Sequence, residues 1–166
     1  IIMWLAVYAA RTPGVECSDN ATVRMDLDNE PQPDAILRLD GETRGGRSRV
    51  DEDGYLQGAP ELVAEITASS ASYDLGAKKN SYRRNGVREY LAWRVLDAQI
   101  DWFVLDEGAY QPLAPSEGEI LRSAVFPGLW LDPRALLDGK MDRVLEVLEQ
   151  GIASAEHQDF ASRIAR

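Results

Sequence analysis

Hydrophobic and polar positions recur with different periods along this chain, and the changes of period mark its elements. Ile1-Ile2-Met3-Trp4-Leu5-Ala6-Val7-Tyr8-Ala9-Ala10 is apolar throughout and predicts a core helix, stopped by Thr12-Pro13-Gly14, since proline and glycine in succession end a helix. A strand is predicted over Ala21–Leu27 and a second over Ala35–Leu39. Pro31 and Pro33 precede the second strand, where fixed proline angles favour an extended backbone. Asp40–Gly58, rich in Gly, Arg, Asp and Ser, predicts a long loop or irregular hairpin and the most mobile element. Leu62–Thr67 predicts a central strand. By the period of two, Leu62, Ala64 and Ile66 share one of its faces, and Glu61, Val63, Glu65 and Thr67 share the other.

The hydroxyls of Ser69-Ser70-Ala71-Ser72 can cap a helix that starts near Ser72 or Tyr73 and ends at Gly86. On that helix Asp74, Lys78 and Tyr82 fall at i, i+4 and i+8, hence on one face. Strands are then predicted at Glu89–Val95, Ile100–Leu105, Tyr110–Leu113 and Ile120–Ser123, with Asp106-Glu107-Gly108 as a hairpin turn between the second and third. Phe126–Pro133 reads as an apolar, turn-bounded strand on the core. Met141–Gln150 and Ser154–Ile164 read as helices with a break at Gly151. The expected organisation is one domain over residues 1–137 followed by a helical tail over 138–166.

With 166 residues, 45% of them hydrophobic, the chain can form one domain with its own core. Cys17 is its single cysteine, so neither an internal disulfide nor a thiolate metal cluster is expected, and a reducing cytosol is the simplest setting. The first ten residues are about half the length of a membrane span and carry no basic leader, which argues against a transmembrane helix or a signal peptide. Because the chain opens with isoleucine in mid-pattern, residues upstream are expected to have been removed. The net charge of −10 opposes binding to nucleic acid, whose phosphates attract basic footprints. The positive charge is nevertheless uneven: Arg44, Arg47 and Arg49 lie in one loop, and Lys78, Lys79, Arg83, Arg84 and Arg88 in one segment. A local basic wall can form from either group.

The candidate chemistry sits inside the apolar runs. Asp34 stands at the mouth of the Ala35–Leu39 strand and Glu65 among Leu, Val, Ala and Ile, so each carboxylate carries a desolvation cost unless it is paired. Two such acids followed by Lys78 suggest a divalent-metal site with a cation beside it, and hence phosphodiester hydrolysis. Each residue also has an ordinary explanation. Asp34 can be a turn residue after proline, Glu65 a strand-edge acid facing water, and Lys78 the i, i+4 surface partner of Asp74. Glu61 reads as a solvated strand start or a supporting acid. His157, the only histidine, reads as a surface residue, and Trp4, Trp93, Trp102 and Trp130 as core or interface. No P-loop, GxGxxG, HExxH or nucleophile elbow is present. The number of large aromatic residues, Trp93, Trp102, Phe103 and Trp130, raises the expectation of a homodimer.

The order Gln32-Pro33-Asp34, Gly58-Ala59-Pro60-Glu61-Leu62-Val63-Ala64-Glu65-Ile66, Ser69-Ser70, Asp74-Leu75-Gly76-Ala77-Lys78, Tyr82 and Gly86-Val87-Arg88-Glu89-Tyr90 resembles the Uma-two family of restriction endonucleases. Leu121-Arg122-Ser123 and Phe126-Pro127-Gly128-Leu129 fit the same pattern. The resemblance implies the PD-(D/E)XK nuclease superfamily: an α/β, restriction-endonuclease-like mixed β-sheet flanked by helices, with an αβββαβ core and here extra C-terminal strands and helices. The usual Glu-x-Lys motif reads Glu65-Ile66-Thr67 in this chain, and the resemblance implies that the lysine has moved to Lys78 on the following helix. It further implies Mg²⁺ or Mn²⁺ held by Asp34, Glu65 and the Ile66 carbonyl, with Asp74, Tyr82 and Glu61 in support and DNA as substrate. The products would be a 5′-phosphate and a 3′-hydroxyl. The alternatives are a catalytically inactive nucleic-acid-binding module, or a dimeric interaction module, on the same fold.

Overall fold

In a computed structural model of the chain, residues 1–25, 30–41, 44–68 and 72–165 are described, without the side chains of 72–75 and 117. Helix α1 (Ile2–Arg11) turns Trp4, Leu5 and Tyr8 inward. Strand β1 (Val15–Asp19) follows and pairs antiparallel with β3 (Ala35–Leu39). The sequence hides β1, because Glu16, Ser18 and Asp19 supply little apolar signal and only Val15 is fully buried. The strand predicted over Ala21–Leu27 is reduced to β2 (Val23–Arg24), and Asp26 and Leu27 lie outside the described residues. Within Asp40–Gly58, predicted as a long loop or irregular hairpin, β4 (Arg49–Val50) and β5 (Leu56–Gln57) form an antiparallel hairpin and join β2 in a small sheet of order β2-β5-β4.

The main sheet is completed by β6 (Leu62–Thr67), β7 (Glu89–Arg94), β8 (Gln99–Asp106) and β9 (Ala109–Pro112). Its order is β1-β3-β6-β7-β8-β9. Every neighbouring pair is antiparallel except β6 and β7. Two parallel neighbours need a crossover connection, here helix α2 (Ser72–Arg84). The succession α1, β1, β3, β6, α2, β7 is thus the αβββαβ core. The turn between β8 and β9 places Glu107 and Gly108 consecutively at φ 45° and 80°, the paired left-handed geometry that favours a tight hairpin.

Alternation along the strands gives the sheet two buried faces. On one, Leu37, Leu62, Ala64, Leu91 and Trp102 meet Trp4 and Tyr8 of α1. The same core takes in β10 (Leu121–Arg122), β11 (Trp130–Leu131), α3 (Pro133–Leu137), α4 (Met141–Ile152) and α5 (Ala155–Ile164), through Leu131, Leu136, Val144, Leu148 and Phe160. Trp4 and Trp102 pack edge to face at 5.7 Å. On the other face Ile36, Val63, Tyr90 and Ala92 meet Tyr82 of α2 and Val23 and Leu56 of the small sheet. The Tyr82 and Tyr90 rings, 5.5 Å apart, hold α2 over the strands.

Three further expectations are corrected. The helix break predicted at Gly151 falls instead at Ser154, whose hydroxyl caps α5 by accepting from the His157 N–H. Gly151 is helical, and its missing Cβ leaves room for the Gly128 carbonyl and the Trp130 ring. Of Phe126–Pro133 only Trp130–Leu131 is strand, while Pro133 opens α3 beneath an Asp132 cap on the Ala135 N–H at 2.9 Å. His157 is buried, not a surface residue, with its ring 2.9 Å from the Thr12 hydroxyl. Among the described residues no helix is long and apolar enough to cross a membrane.

Candidate active site

The site grows from the β3–β6 register. Ala35 lies opposite Ala64 and Ile36 opposite Val63, so one step further Asp34 falls opposite Glu65. Residues opposite one another in an antiparallel pair share a face, and this is the face covered by α2. Asp34 is half-buried, and its Oδ2 accepts the Ile66 N–H at 2.6 Å. Its carboxylate thereby continues the ladder where the β3 backbone stops.

Glu65 points toward α2 and its side chain is 6% exposed. Lys78 Nζ donates to Oε2 at 2.9 Å, and the Tyr82 hydroxyl donates to Oε1 at 2.6 Å. Lys78 and Tyr82 are one helical turn apart, which is why a single face of α2 delivers both. The Lys78 side chain is about half exposed, so its ammonium sits at the rim, while Tyr82 is buried below it. Burial first, and then the adjacent Glu65 charge, push the Tyr82 phenol far above its ordinary pKa; the Asp34 charge acts in the same direction. Tyr82 therefore remains a donor to the carboxylate.

The other candidates fare differently. Asp74 belongs to α2, but its side chain lies outside the described residues, as do Ser69 and Ser70. Glu61 is not a solvated strand start: it is fully buried and accepts the Leu39 N–H at 2.8 Å and the Arg47 N–H at 3.2 Å. Desolvation pushes its pKa up. It fastens the start of the β3–β4 connection to β6 and stands four residues before Glu65. Arg44 leaves the proposed basic loop and donates to the Ile164 carbonyl at 2.7 Å. Of the aromatic residues that suggested a dimer, Trp102 is buried against Trp4, and Phe103 lies beneath the Lys79 ammonium, 3.1 Å from its ring centroid.

Sequence reasoning passed over one carboxylate. Glu89 lies on the opposite face of the sheet, fully buried, where it accepts from the Ser123 hydroxyl at 2.7 Å and the Ala124 and Val125 N–H groups at 2.6 and 3.1 Å. Its pKa is pushed up to about 7 by burial. The signal was available, since Tyr90-Leu91-Ala92 makes the same apolar setting that singled out Glu65.

As a donor set, Asp34, Glu65 and the Ile66 carbonyl are all hard oxygens, the chemistry that suits Mg²⁺ or Mn²⁺. Mg²⁺ commonly takes one or two carboxylates, with water and phosphate oxygens completing the shell. A carboxylate has about four acceptor directions, so the bonds from Lys78 and Tyr82 leave capacity on Glu65. Among the described residues no group of three or more His, Cys, Asp or Glu side chains could hold a metal ion. A cation here would thus rest on two carboxylates and a main-chain oxygen.

A mixed sheet in αβββαβ order flanked by helices is the restriction-endonuclease-like architecture. Residues 1–134 match the Uma2 family, described as "Putative restriction endonuclease", and the chain belongs to that family. It is also similar in fold to a crystal structure described as a putative nuclease belonging to DUF820 from Anabaena variabilis ATCC 29413. That likeness has a TM-score of 0.54 at 9% identity and covers 98% of this chain and 76% of that one. At this identity it speaks for the fold alone. No curated protein matches the chain.

Proposed function

We propose that the protein is a metal-dependent endonuclease that hydrolyses DNA phosphodiester bonds. The observation that carries this reading is the convergence on Glu65 of Lys78 at 2.9 Å and Tyr82 at 2.6 Å, with Asp34 across the strand pair on the Ile66 N–H. Asp34, Glu65 and the Ile66 carbonyl would hold Mg²⁺ or Mn²⁺, which when bound polarises the scissile phosphate and lowers the pKa of a water. Lys78, at the solvent rim, orients the attacking water and offsets the negative charge that builds on the phosphate oxygens. Tyr82 fixes the Glu65 carboxylate by a hydrogen bond that its raised pKa keeps intact, and Asp74 lies one turn before Lys78 to steady it. The strand is cut to leave a 5′-phosphate and a 3′-hydroxyl. A cytoplasmic homodimer would bring two such sites to the two strands of a duplex.

The Lys78–Glu65 ion pair also favours one other reading, in which lysine and carboxylate neutralise each other within an inactive nucleic-acid-binding or dimeric interaction module. Incubation of the purified protein with supercoiled plasmid and Mg²⁺ or Mn²⁺ separates the two. The nuclease nicks the plasmid only with the ion, and both Asp34→Ala and Glu65→Ala abolish nicking. Equal cutting by the variants, or no cutting by the parent, moves the conclusion to the inactive module.

A further inference from the structure

At the far end of β3, on the sheet face that carries Glu65, lies a second concavity of opposite character. Alternation from Asp34 through Ile36 brings Arg38 to this face, opposite Glu61 in the continued β3–β6 register. Four residues of extended strand separate Arg38 from Asp34, about 13 Å. A cavity of about 750 Å³ opens there between the end of β3, the segment that follows it and the β4–β5 hairpin. Arg38, Arg47, Ser48 and Arg49 line it, together with Asp40 and Gln57.

The partners of these groups show what is left over. Arg38 is buried and paired with Glu16, and it donates to the Ser48 carbonyl at 3.4 Å. Asp40 is met by Arg44 at 3.6 Å and Arg38 at 4.0 Å. Arg47 donates to a neutral acceptor, the Gly86 carbonyl, at 2.7 Å. Neither Arg47 nor Arg49 is ion-paired with a carboxylate among the described residues. Ser48 is only 6% exposed, yet its hydroxyl has no hydrogen-bond partner. Two guanidinium groups that no carboxylate neutralises thus border the cavity, and the residue between them carries a buried hydroxyl without a partner. On a molecule of charge −10 this is a local reversal of sign.

We propose that this cavity is a phosphate-binding subsite for the nucleic-acid strand, in which Arg47 and Arg49 take the phosphate oxygens. The proposal rests on the nuclease reading for its ligand. Phosphate is the group that planar guanidinium forks suit best. A strand, rather than a small anion, is favoured because the cavity is open to solvent and Arg38 at its edge lies about 13 Å along β3 from Asp34, a span that a few nucleotides can bridge. Phosphate contacts of this kind position a duplex without reading its sequence.

The test is fluorescence anisotropy with a labelled DNA duplex, with Ca²⁺ in place of Mg²⁺, across a salt series. Arg49→Glu is expected to weaken binding about tenfold and to lower the salt slope by about one. Arg47→Ala is expected to weaken it about threefold, Arg49→Lys to restore most of it, and Lys140→Glu, beyond the opposite face of the sheet, to leave it within twofold. Arg49 is exposed, and unchanged melting of its variants guards against misfolding as the cause. Duplex binding that ignores both Arg49→Glu and Arg47→Ala overturns the subsite. So does saturation of the cavity by inorganic phosphate in a protein that binds no duplex, since the anion is then free phosphate. Loss of binding in the variants of a protein that never cuts leaves the subsite standing and removes the nuclease.

Discussion

Glu65 and Glu89 occupy neighbouring strands of one sheet, and both are buried, yet they lie in opposite environments. Glu65 faces α2, with an ammonium at 2.9 Å, a phenol at 2.6 Å and a second carboxylate across the strand pair. Glu89 faces α1 and the C-terminal helices, where a hydroxyl and two main-chain N–H groups surround it. Its raised pKa follows from burial that those hydrogen bonds offset only in part. Burial of a carboxylate is therefore a poor guide to chemistry. A counter-charge at a solvent rim distinguishes Glu65, the acid assigned to the proposed site, from Glu89, which pins a loop to a strand.

The comparison can be broken most severely at Glu65. Glu65→Gln keeps an acceptor for Tyr82 but removes the charge, and DNA nicking is expected to fall about 10³-fold, several kcal/mol of lost metal-dependent stabilisation, with little change in melting. Glu89→Gln is expected to leave nicking within twofold, and a comparable loss in it would erase the distinction. Stability gives the mirror image: Glu89→Ala strands three donors and is expected to cost about 2–4 kcal/mol in urea unfolding. Tyr82→Phe releases one oxygen of Glu65 while Lys78 keeps the other, so nicking is expected to fall about tenfold.

The smallest effect is the pH dependence. The native protein keeps a proton on Glu89 up to a pH of about 7, whereas the unfolded chain releases it near the ordinary value of 4.5. The native state then holds more protons than the unfolded state between these limits. The stability that Glu89 contributes is full at the acid end of that window and is lost as pH rises through it. Unfolding of the parent is expected to become easier from pH 5 to 7 relative to Glu89→Gln, which lacks the titrating group. Parallel pH profiles for the two proteins would show that Glu89 is ionised throughout.

Where one residue type faced one environment, the chain was legible. Ala35–Leu39, Leu62–Thr67 and the β8–β9 hairpin follow directly from period and turn chemistry. Asp34, Glu65, Lys78 and Tyr82 stand out in the sequence alone, and the bonds of Lys78 and Tyr82 to Glu65 need only that α2 lie over β6. Elements whose stability comes from partners were not legible. Strand β1 is polar and survives as the neighbour of a fully buried β3, and Gly151 lies within α4 at a point where the Gly128 carbonyl leaves no room for a Cβ. Glu61, read as solvated, and His157, read as exposed, are buried through contacts with segments remote in the chain. The cavity beside Arg49 borders the β4–β5 hairpin, which the sequence allows as one of two forms of Asp40–Gly58 without marking its two short strands.

The bond between Asp34 and the Ile66 amide carries one more implication. It spans thirty-two positions of chain, and a slip of a single residue between β3 and β6 would turn that aspartate to the reverse side of the sheet. On the proposed function, competence to cut is thereby keyed to correct strand alignment, and a half-assembled or misregistered molecule would lack the centre.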